Sequence, residues 1–243
     1  MTTTAGPRVA VVTGGARRLG RHLARTVAAR GYAVVILYRS SDEDARTLVS
    51  DIVAGGGQAR AIKVDISQEQ IVAGVFADLA HRERRVDLLI NNVGNYVPQD
   101  VTALTPAVWD ATLGANLSGA YYCCHHALRL MPDGGQIINI GMAGLEGIRA
   151  NRLGTDYYVS KTGLLVLTRA LATGYANRRI RCNMVSPGQL DNSVDLPPPD
   201  EIGAWVPLGR AGTLDDIGQA VSYLLDADYV TGVNLDVAGG YRL

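Results

Sequence analysis

The sequence predicts an α/β protein, a single domain built on a doubly wound parallel sheet with helices on both faces. Short β-branched runs alternate with longer stretches of helical period, and most of these runs are apolar throughout, as in parallel strands buried on both sides. Along the 243 residues no low-complexity linker or internal repeat marks a boundary between domains. The candidate strands are Arg8–Thr13, Ala33–Tyr38, Gln58–Val64, Val86–Asn91, Gln136–Ile140, Ile180–Val185 and Val233–Val237.

The helices between these strands are predicted from their apolar stripes and their first residues. Ser67 with Gln70 predicts a capping box at the start of the third helix, and Thr105 followed by Pro106 predicts the start of the next one. Strict alternation implies right-handed crossovers, so ligands are expected beyond the carboxyl ends of the strands. The stripes of the first and last helices consist of Leu19, Leu23 and Val27, and of Leu214, Ile217, Val221 and Leu224.

Composition and charge exclude several classes of function. Hydrophobic residues make up 47% of the chain and charged residues 19%, which supports a large core. Lys plus Arg and Asp plus Glu both total 23, so no overall positive field attracts nucleic acid or an anionic membrane. No apolar run of about 18 residues is present, and we expect a cytoplasmic protein without membrane or nucleic-acid partners. Residues 1–7 are predicted to be a disordered polar end.

The cysteines predict neither a disulfide framework nor a metal site. Their number is three, which is odd and suits a reducing compartment. Cys123, Cys124, His125 and His126 are consecutive, and consecutive helical side chains point about 100° apart, so they cannot converge on one ion.

A glycine-rich turn, Thr13–Gly20, directly follows the first strand and opens the first helix. Glycine lets the backbone approach a pyrophosphate closely, while the helix N-terminus supplies N–H donors. A tight strand-to-helix connection is the alternative interpretation. The placement favours a dinucleotide site of the Rossmann type, with the cofactor bound by Gly14, Arg17, Arg18, Leu19 and Gly20.

The end of the second strand indicates which dinucleotide is bound. It reads Tyr38, Arg39, Ser40, without a carboxylate to accept hydrogen bonds from a ribose 2′-hydroxyl. An arginine pairs with a 2′-phosphate through two charge-assisted bonds. Arg39 and Arg17 therefore favour NADPH over NADH, unless both are ordinary solvated arginines.

Tyr157 and Lys161 stand four residues apart at the start of the helical stretch Asp156–Ala176, and so share one face. A phenol has a reference pKa of about 10, which a neighbouring ammonium group lowers toward the useful range. This pair is the candidate for proton exchange with a substrate.

Together these motifs resemble the short-chain dehydrogenase/reductase family, and the resemblance covers nearly the whole chain. Arg18 stands where the family's turn has its middle glycine, which is similar to the pteridine reductase branch, where the matching arginine faces the nicotinamide and the substrate. Tyr96 falls where that branch carries an aromatic residue that stacks on a flat ligand. Packing in the core or in a lid is the alternative for Tyr96.

The resemblance also implies individual roles. Tyr157 is the proton donor, and Lys161 binds the nicotinamide ribose and lowers the pKa of the tyrosine. Asn116 matches the asparagine that positions a relay water, although it could instead bend its helix. Family members commonly form tetramers or dimers, so a homo-oligomer is implied. Further implied cofactor contacts are Asp65 at the adenine, Asn92 and Gly94 in the Asn-Asn-Ala-Gly segment, Ser40 beside Arg39, and Pro187 and Gly188 at the carboxamide.

A hydrogen-bond donor that the family carries after the fifth strand is missing. The family places a serine there, or an aspartate in pteridine reductases, whereas this chain has Met142, whose thioether cannot donate a hydrogen bond. Either Thr155, Asp156 or Glu146 replaces that donor, or the substrate does not need it. Hydride addition to a protonated imine creates no oxyanion, which favours C=N reduction.

We therefore expect NADPH-dependent reduction of a C=N or C=O bond in a small cyclic molecule. The proline-containing segment 189–206 is predicted to be a substrate lid, with Trp205 as a substrate contact beside Tyr96 and Met142. The alternatives are a pteridine reductase-like enzyme, an NADP-binding sensor or interaction protein that has lost its chemistry, and oxidation in the reverse direction.

Overall fold

A computed structural model describes residues 6–147, 151–193, 196–198 and 200–242. Its centre is one seven-stranded sheet of order β3-β2-β1-β4-β5-β6-β7, in which every pairing is parallel. The predicted doubly wound sheet is thus confirmed. The strands are β1 Val9–Thr13, β2 Ala33–Tyr38, β3 Ala59–Lys63, β4 Leu88–Asn91, β5 Gln136–Ile140, β6 Arg181–Pro187 and β7 Asn234–Val237.

Helices connect the strands as the alternation predicts. None of the described helices has both the length and the apolar character needed to cross a membrane. A π-helical segment, Gly114–Ser118, joins the fourth helix to the fifth, and a short 3-10 turn, Ala176–Arg178, precedes β6. The helices are α1 Arg18–Ala29, α2 Asp42–Ala54, α3 Glu69–Arg82, α4 Pro106–Leu113, α5 Gly119–Leu130, α6 Thr155–Gly174, α7 Ile202–Trp205 and α8 Leu214–Asp226.

The hydrophobic core lies in two layers, one on each face of the sheet. Neighbouring residues of one strand point to opposite faces, and Val12 of β1 packs in the layer of Leu23 and Ile217, which belong to α1 and α8. Val11 packs in the other layer, with Phe76 of α3 and residues of α5. Burial on both faces explains why the strands are apolar throughout.

The strand order reverses between β1 and β4, and this reversal fixes where a ligand binds. β2 and β3 lie on one side of β1 and the later strands lie on the other, so a crevice opens at the carboxyl ends of β1 and β4. At this reversal the hydroxyl of Thr13, the last residue of β1, accepts a hydrogen bond at 3.0 Å from the backbone amide of Asn92, which directly follows β4.

Local details differ from the sequence predictions at element ends. The predicted Ser67–Gln70 capping box is wrong, because α3 begins at Glu69 and the Ser67 hydroxyl donates instead to Asp65 at 2.7 Å. Thr105 does cap α4, since its side chain accepts from the Val108 amide at 3.4 Å. A capping box is present elsewhere, between Thr213 and Asp216 at the start of α8.

The cysteine-histidine run lies on α5, where Cys123 and Cys124 are fully buried. Burial raises the pKa of both thiols, so they behave as small core residues. The predicted disordered end, residues 1–7, falls outside the described residues except for Gly6 and Pro7.

Candidate active site

A cleft of about 490 Å³ opens at the carboxyl ends of the central strands, where the topology predicts a ligand. It continues into a second pocket of about 250 Å³ toward the end of β2, because Gly14, Arg17 and Gly94 line both. Of the predicted site residues, the larger cleft contains Gly14, Arg17, Arg18, Leu19, Gly20, Asn92, Gly94, Tyr96, Met142, Tyr157, Lys161, Pro187 and Gly188, and the smaller pocket adds Arg39, Ser40 and Asp65.

The glycine-rich turn packs so closely that one of its glycines is irreplaceable without a shift of the backbone. A Cβ atom on Gly20 would lie 2.1 Å from the Gly14 carbonyl oxygen and 2.6 Å from the Asn92 side-chain nitrogen. That Asn92 amide donates to the carbonyls of Thr13 and Gly14 at 3.1 and 3.2 Å. The turn is therefore held rigidly against β4, at the start of α1, as a pyrophosphate cradle requires.

Arg18 connects this turn to the loop that follows β6. It adopts a φ of +48°, which is uncommon for a residue with a Cβ atom, at the position where the family's pattern has glycine. Its guanidinium donates to the backbone carbonyl of Asn192. The side chain therefore lies between the cofactor turn and the predicted lid.

Two arginines and two aspartates surround the pocket at the end of β2. Arg17 pairs with Asp44 at 3.3 Å, and Arg39 lies 3.9 Å from Asp65. The Ser67 hydroxyl and amide, together with Arg39, hold the pKa of Asp65 below its usual range. The arginine side chains are 65% and 72% exposed, so both remain accessible to an anion from solvent.

Lys161 is the most deeply buried cation of the cleft, with 1% of its surface exposed. Its Nζ atom donates to the Ile140 carbonyl oxygen at 2.7 Å and lies 5.6 Å from the centre of the Tyr157 ring. Burial lowers the pKa of Lys161 to about 8, because the desolvated ammonium form is disfavoured. The amine is therefore poised to change protonation state close to neutral pH.

Two aromatic rings lie together in the cleft. The centre of the Tyr96 ring is 4.9 Å from that of Tyr157, with the planes tilted by 56°. The neighbouring Tyr158 is buried instead, with its hydroxyl 3.5 Å from the Gly144 carbonyl oxygen, as expected for a packing residue. Tyr96 and Tyr157 therefore line the cleft, whereas Tyr158 packs in the interior.

Asn116 lies outside the lining of the cleft, in the π-helical segment, and is fully buried. Its side chain accepts from the Asn95 amide at 2.7 Å and donates to the Asn95 carbonyl at 3.0 Å. It also donates to the Ser160 hydroxyl at 3.1 Å, and Ser160 donates to the Tyr157 carbonyl. Asn116 thus connects the segment beside Gly94 with α6. It does so from the π-helical segment that joins α4 to α5.

Three residues were considered as replacements for the missing donor beside Met142, and none of them lines the described cleft. The Thr155 hydroxyl donates to the Asn151 carbonyl at 2.6 Å, and Glu146 pairs with Arg169 at 2.7 Å. Asp156 is buried and accepts from Thr112 at 2.6 Å. Thr155 and Glu146 are thus engaged elsewhere, whereas the Oδ1 atom of Asp156 is buried without a hydrogen-bond partner among the described residues and lies outside the lining of the cleft.

Among the described residues, only part of the predicted lid, residues 189–206, lines the cleft. Gln189, Leu190, Asn192 and Ser193 contribute to the lining of the cleft, whereas Trp205 lies on α7, 48% exposed and outside the lining. Residues 194, 195 and 199 lie outside the described part of the chain. Sequence reasoning missed Asn151, Tyr241 and Arg242, which belong to no motif, although the Gly239-Gly240 turn signals that the chain bends just before the last two.

The fold and the cleft define an oxidoreductase that uses a nicotinamide dinucleotide. A family model described as Enoyl-(Acyl carrier protein) reductase matches residues 14–242. A 3beta-hydroxysteroid dehydrogenase from Eggerthella lenta is 34% identical over 249 residues, covering 97% of this chain and 94% of that protein. A 3-oxoacyl-[acyl-carrier-protein] reductase from Homo sapiens is 34% identical over 242 residues, covering 97% and 98%.

Solved structures give the same family. A short-chain dehydrogenase/reductase from Serratia marcescens superposes with a TM-score of 0.90 at 29% identity, covering 97% of this chain and 98% of the other. A blue fluorescent protein from a metagenomic library, solved in complex with NADPH, superposes at 0.89 with 34% identity and the same coverage. The chain belongs to the short-chain dehydrogenase/reductase family.

Proposed function

We propose that the protein is an NADPH-dependent reductase of a C=N or C=O bond in a small cyclic molecule, with Tyr157 as the proton donor. The observation that carries this proposal is the position of Tyr157 and Lys161 in one cleft with the glycine-rich turn. Reactive groups and a dinucleotide cradle are thereby brought together around a single space.

The residues present fit the cofactor. The close-packed turn and the N-terminus of α1 suit a pyrophosphate, and the exposed Arg17 and Arg39 suit a 2′-phosphate. Lys161 would bind the nicotinamide ribose, with Pro187 and Gly188 at the carboxamide, Gly94 beside the ribose, and Ser40 and Asp65 at the adenosine end. The bound cofactor would supply a hydride to the substrate. NADPH rather than NADH is favoured because β2 ends without a carboxylate.

Tyr157 would protonate the atom that becomes more basic as the substrate is reduced. A cationic Lys161 close to the phenol favours its ionised form and so facilitates proton transfer. Asn116 would hold the backbone at Asn95 and the Ser160 side chain, and through them the start of α6, in place. We propose it as a positioning residue of the relay.

Met142 bears on the choice between the two substrate classes. A positioned donor to a developing oxyanion contributes about 2.7–4 kcal/mol, and a thioether forfeits it. A protonated imine loses its positive charge on reduction and forms no oxyanion, so its reduction does not need this donor. The absence of the donor therefore supports C=N reduction. The names of the steroid and oxoacyl relatives instead support C=O reduction, so both stay within the proposal.

Two other functions are weaker candidates. Arg18 in the turn and Tyr96 beside Tyr157 support a pteridine reductase-like enzyme, but Met142 occupies the place of that branch's aspartate. A non-catalytic NADP-binding sensor would have no use for the buried Lys161 beside Tyr157. Cytoplasmic location and a homo-oligomeric state stay predictions.

The test is loss of NADPH absorbance with a panel of cyclic imines, cyclic ketones and dihydropterins. Tyr157→Phe is compared with Tyr158→Phe, a matched removal of a hydroxyl from the same helix. The proposal predicts turnover that Tyr157→Phe abolishes and Tyr158→Phe retains. No turnover on any compound, despite bound NADPH, would favour the sensor.

A further inference from the structure

The charged side chains in the described lining of the cleft are all cations. The lining contains four cationic side chains and no aspartate or glutamate among the described residues. A concave site lined by one sign of charge raises the local concentration of ligands of the opposite sign. The cations are Arg17, Arg18, Lys161 and Arg242.

Three of these cations have roles in the proposed function, and the fourth does not. Arg17 and Arg18 belong to the cofactor turn, and Lys161 lies beside Tyr157. Arg242 comes from the end of the chain, after the last strand, and nothing in the cofactor chemistry accounts for it.

Arg242 lies on the substrate side of the cleft, close to Met142. Its side chain runs along the backbone at Gly144, where a Cβ atom would lie 2.9 Å from the Arg242 Cβ and 3.1 Å from its Cδ. Gly144 is two residues beyond Met142, so the Cα atoms of the two are at most about 7 Å apart. The aliphatic part of Arg242 therefore packs against the segment that follows β5, and Arg242 and Met142 both line the cleft.

The guanidinium is held in place without a neutralising partner among the described residues. Its Cζ atom lies 5.0 Å from the centre of the Tyr241 ring, and the Tyr241 hydroxyl accepts from Gln189 at 3.5 Å. No described carboxylate lies within ion-pair distance of Arg242, in contrast to Arg17, which pairs with Asp44. A guanidinium in a cleft without a counter-ion is suited to bind one from the substrate.

We infer that Arg242 selects a substrate that carries a carboxylate, so that the enzyme reduces a small cyclic acid rather than a neutral ring. The planar fork of the guanidinium matches a carboxylate through two parallel hydrogen bonds. A carboxylate would also compensate the positive charge of a protonated imine in a cleft that otherwise repels it. This inference rests on the proposed function and specifies its substrate class.

The inference is tested by binding, independently of turnover. Cyclohexanecarboxylate and cyclohexanecarboxamide are titrated by calorimetry into the enzyme saturated with NADP⁺. The carboxylate is expected to bind at least tenfold more tightly than the amide. Arg242→Met removes this preference, Arg242→Lys retains part of it, and Arg46→Met, which removes an exposed cation paired with Glu43, leaves it unchanged.

Turnover gives the second readout. NADPH consumption is compared for oxocyclohexane carboxylate and its methyl ester, and for pyrroline carboxylate and methylpyrroline. A preference of kcat/KM for the acids that Arg242→Met abolishes supports the inference. Equal binding or equal turnover of acid and neutral analogue, or a preference that survives in Arg242→Met, overturns it while leaving reductase activity intact. Failure to bind NADP⁺ would overturn the proposed function itself.

Discussion

The Nζ atom of Lys161 lies 2.7 Å from the carbonyl oxygen of Ile140 and donates a hydrogen bond to it. Ile140 is the last residue of β5 and stands two residues before Met142, whereas Lys161 lies one turn after Tyr157 on α6. This hydrogen bond therefore connects β5, the strand that precedes Met142, with α6, the helix that carries Tyr157. It fixes the relative position of the two walls where a substrate would react.

Burial of Lys161 makes the stability of the protein depend on pH in a defined direction. The pKa of Lys161 is about 8 in the folded protein and about 10.4 in an unfolded chain. Between these values the unfolded chain binds the proton and the folded one does not, so stability rises with pH and falls as pH decreases toward 8. From pH 7 to 9 the free energy of unfolding is expected to increase by about 1 kcal/mol from this group.

Urea unfolding of the wild type and of Lys161→Met at pH 7 and 9 measures the pH-dependent contribution of Lys161 to stability, because methionine has no titratable group. The difference in unfolding free energy between the two should shift by about 1 kcal/mol in favour of the wild type at the higher pH. A difference that is the same at both pH values would show that the amine titrates normally.

Removing the Tyr157 hydroxyl should affect chemistry and leave cofactor binding intact. General acid catalysis contributes about 10²- to 10⁴-fold, so Tyr157→Phe should lower kcat by at least about 100-fold. The Kd for NADPH, measured by fluorescence, should stay within about twofold. A variant that keeps wild-type kcat would exclude Tyr157 as the proton donor.

The preference for the phosphorylated cofactor should depend on Arg39. Hydrogen bonds to charged groups contribute about 1.5–3 kcal/mol, and exposure of this side chain places the effect at the lower end. Arg39→Ala should raise KM for NADPH about tenfold and leave KM for NADH nearly unchanged. Arg82→Ala, which removes a surface arginine paired with Asp78 on α3, is the control. An equal change for both cofactors would contradict a 2′-phosphate contact.

Gly20 should tolerate no side chain. Gly20→Ala places a methyl group 2.1 Å from the Gly14 carbonyl oxygen, so the turn must shift, and affinity for NADPH should fall more than tenfold. Gly74→Ala on α3 is the matched control, since nothing lies within 4 Å of its added Cβ. The control should raise Tm slightly, because alanine stabilises a helix by about 1 kcal/mol relative to glycine. Wild-type affinity in Gly20→Ala would mean that the turn does not cradle a phosphate.

A hydroxyl at position 142 should distinguish ketones from imines. Met142→Ser supplies a donor for an oxyanion, so kcat/KM for cyclic ketones should rise by about 10- to 100-fold, less than the roughly 10²- to 10³-fold that an optimally placed donor contributes. Activity on protonated cyclic imines should not rise, and the ratio of the two rates is the readout. A parallel increase on both classes would contradict the charge argument.

The fold was predictable because its signals are periodic. Continuous apolar runs such as Ala33–Tyr38 require burial on both faces, and their alternation with helical stripes leaves only parallel strands joined by crossovers. The Ser67–Gln70 box is wrong because the Ser67 amide, which Gln70 would have to accept from, donates to Asp65 at 3.0 Å, and the helix has Gln68 as its N-cap. A spacing pattern cannot resolve such competition between two side chains for one amide.

The candidate site was predictable where chain order fixes geometry. Thr13–Gly20 and the Tyr157–Lys161 pair lie at element ends that the topology brings together. Arg242 and Asn151 were missed because loops place them, and loop paths depend on contacts such as that of Arg242 with Gly144. Trp205 was assigned to the substrate from its position in a proline-containing segment, a composition signal that carries no direction.

A calorimetric titration of the purified protein with NADPH and with NADH tests the proposed cofactor site most directly. We expect one site per chain and a Kd for NADPH at least tenfold lower than that for NADH. Absence of binding by either dinucleotide, or tighter binding of NADH, would contradict the proposed site.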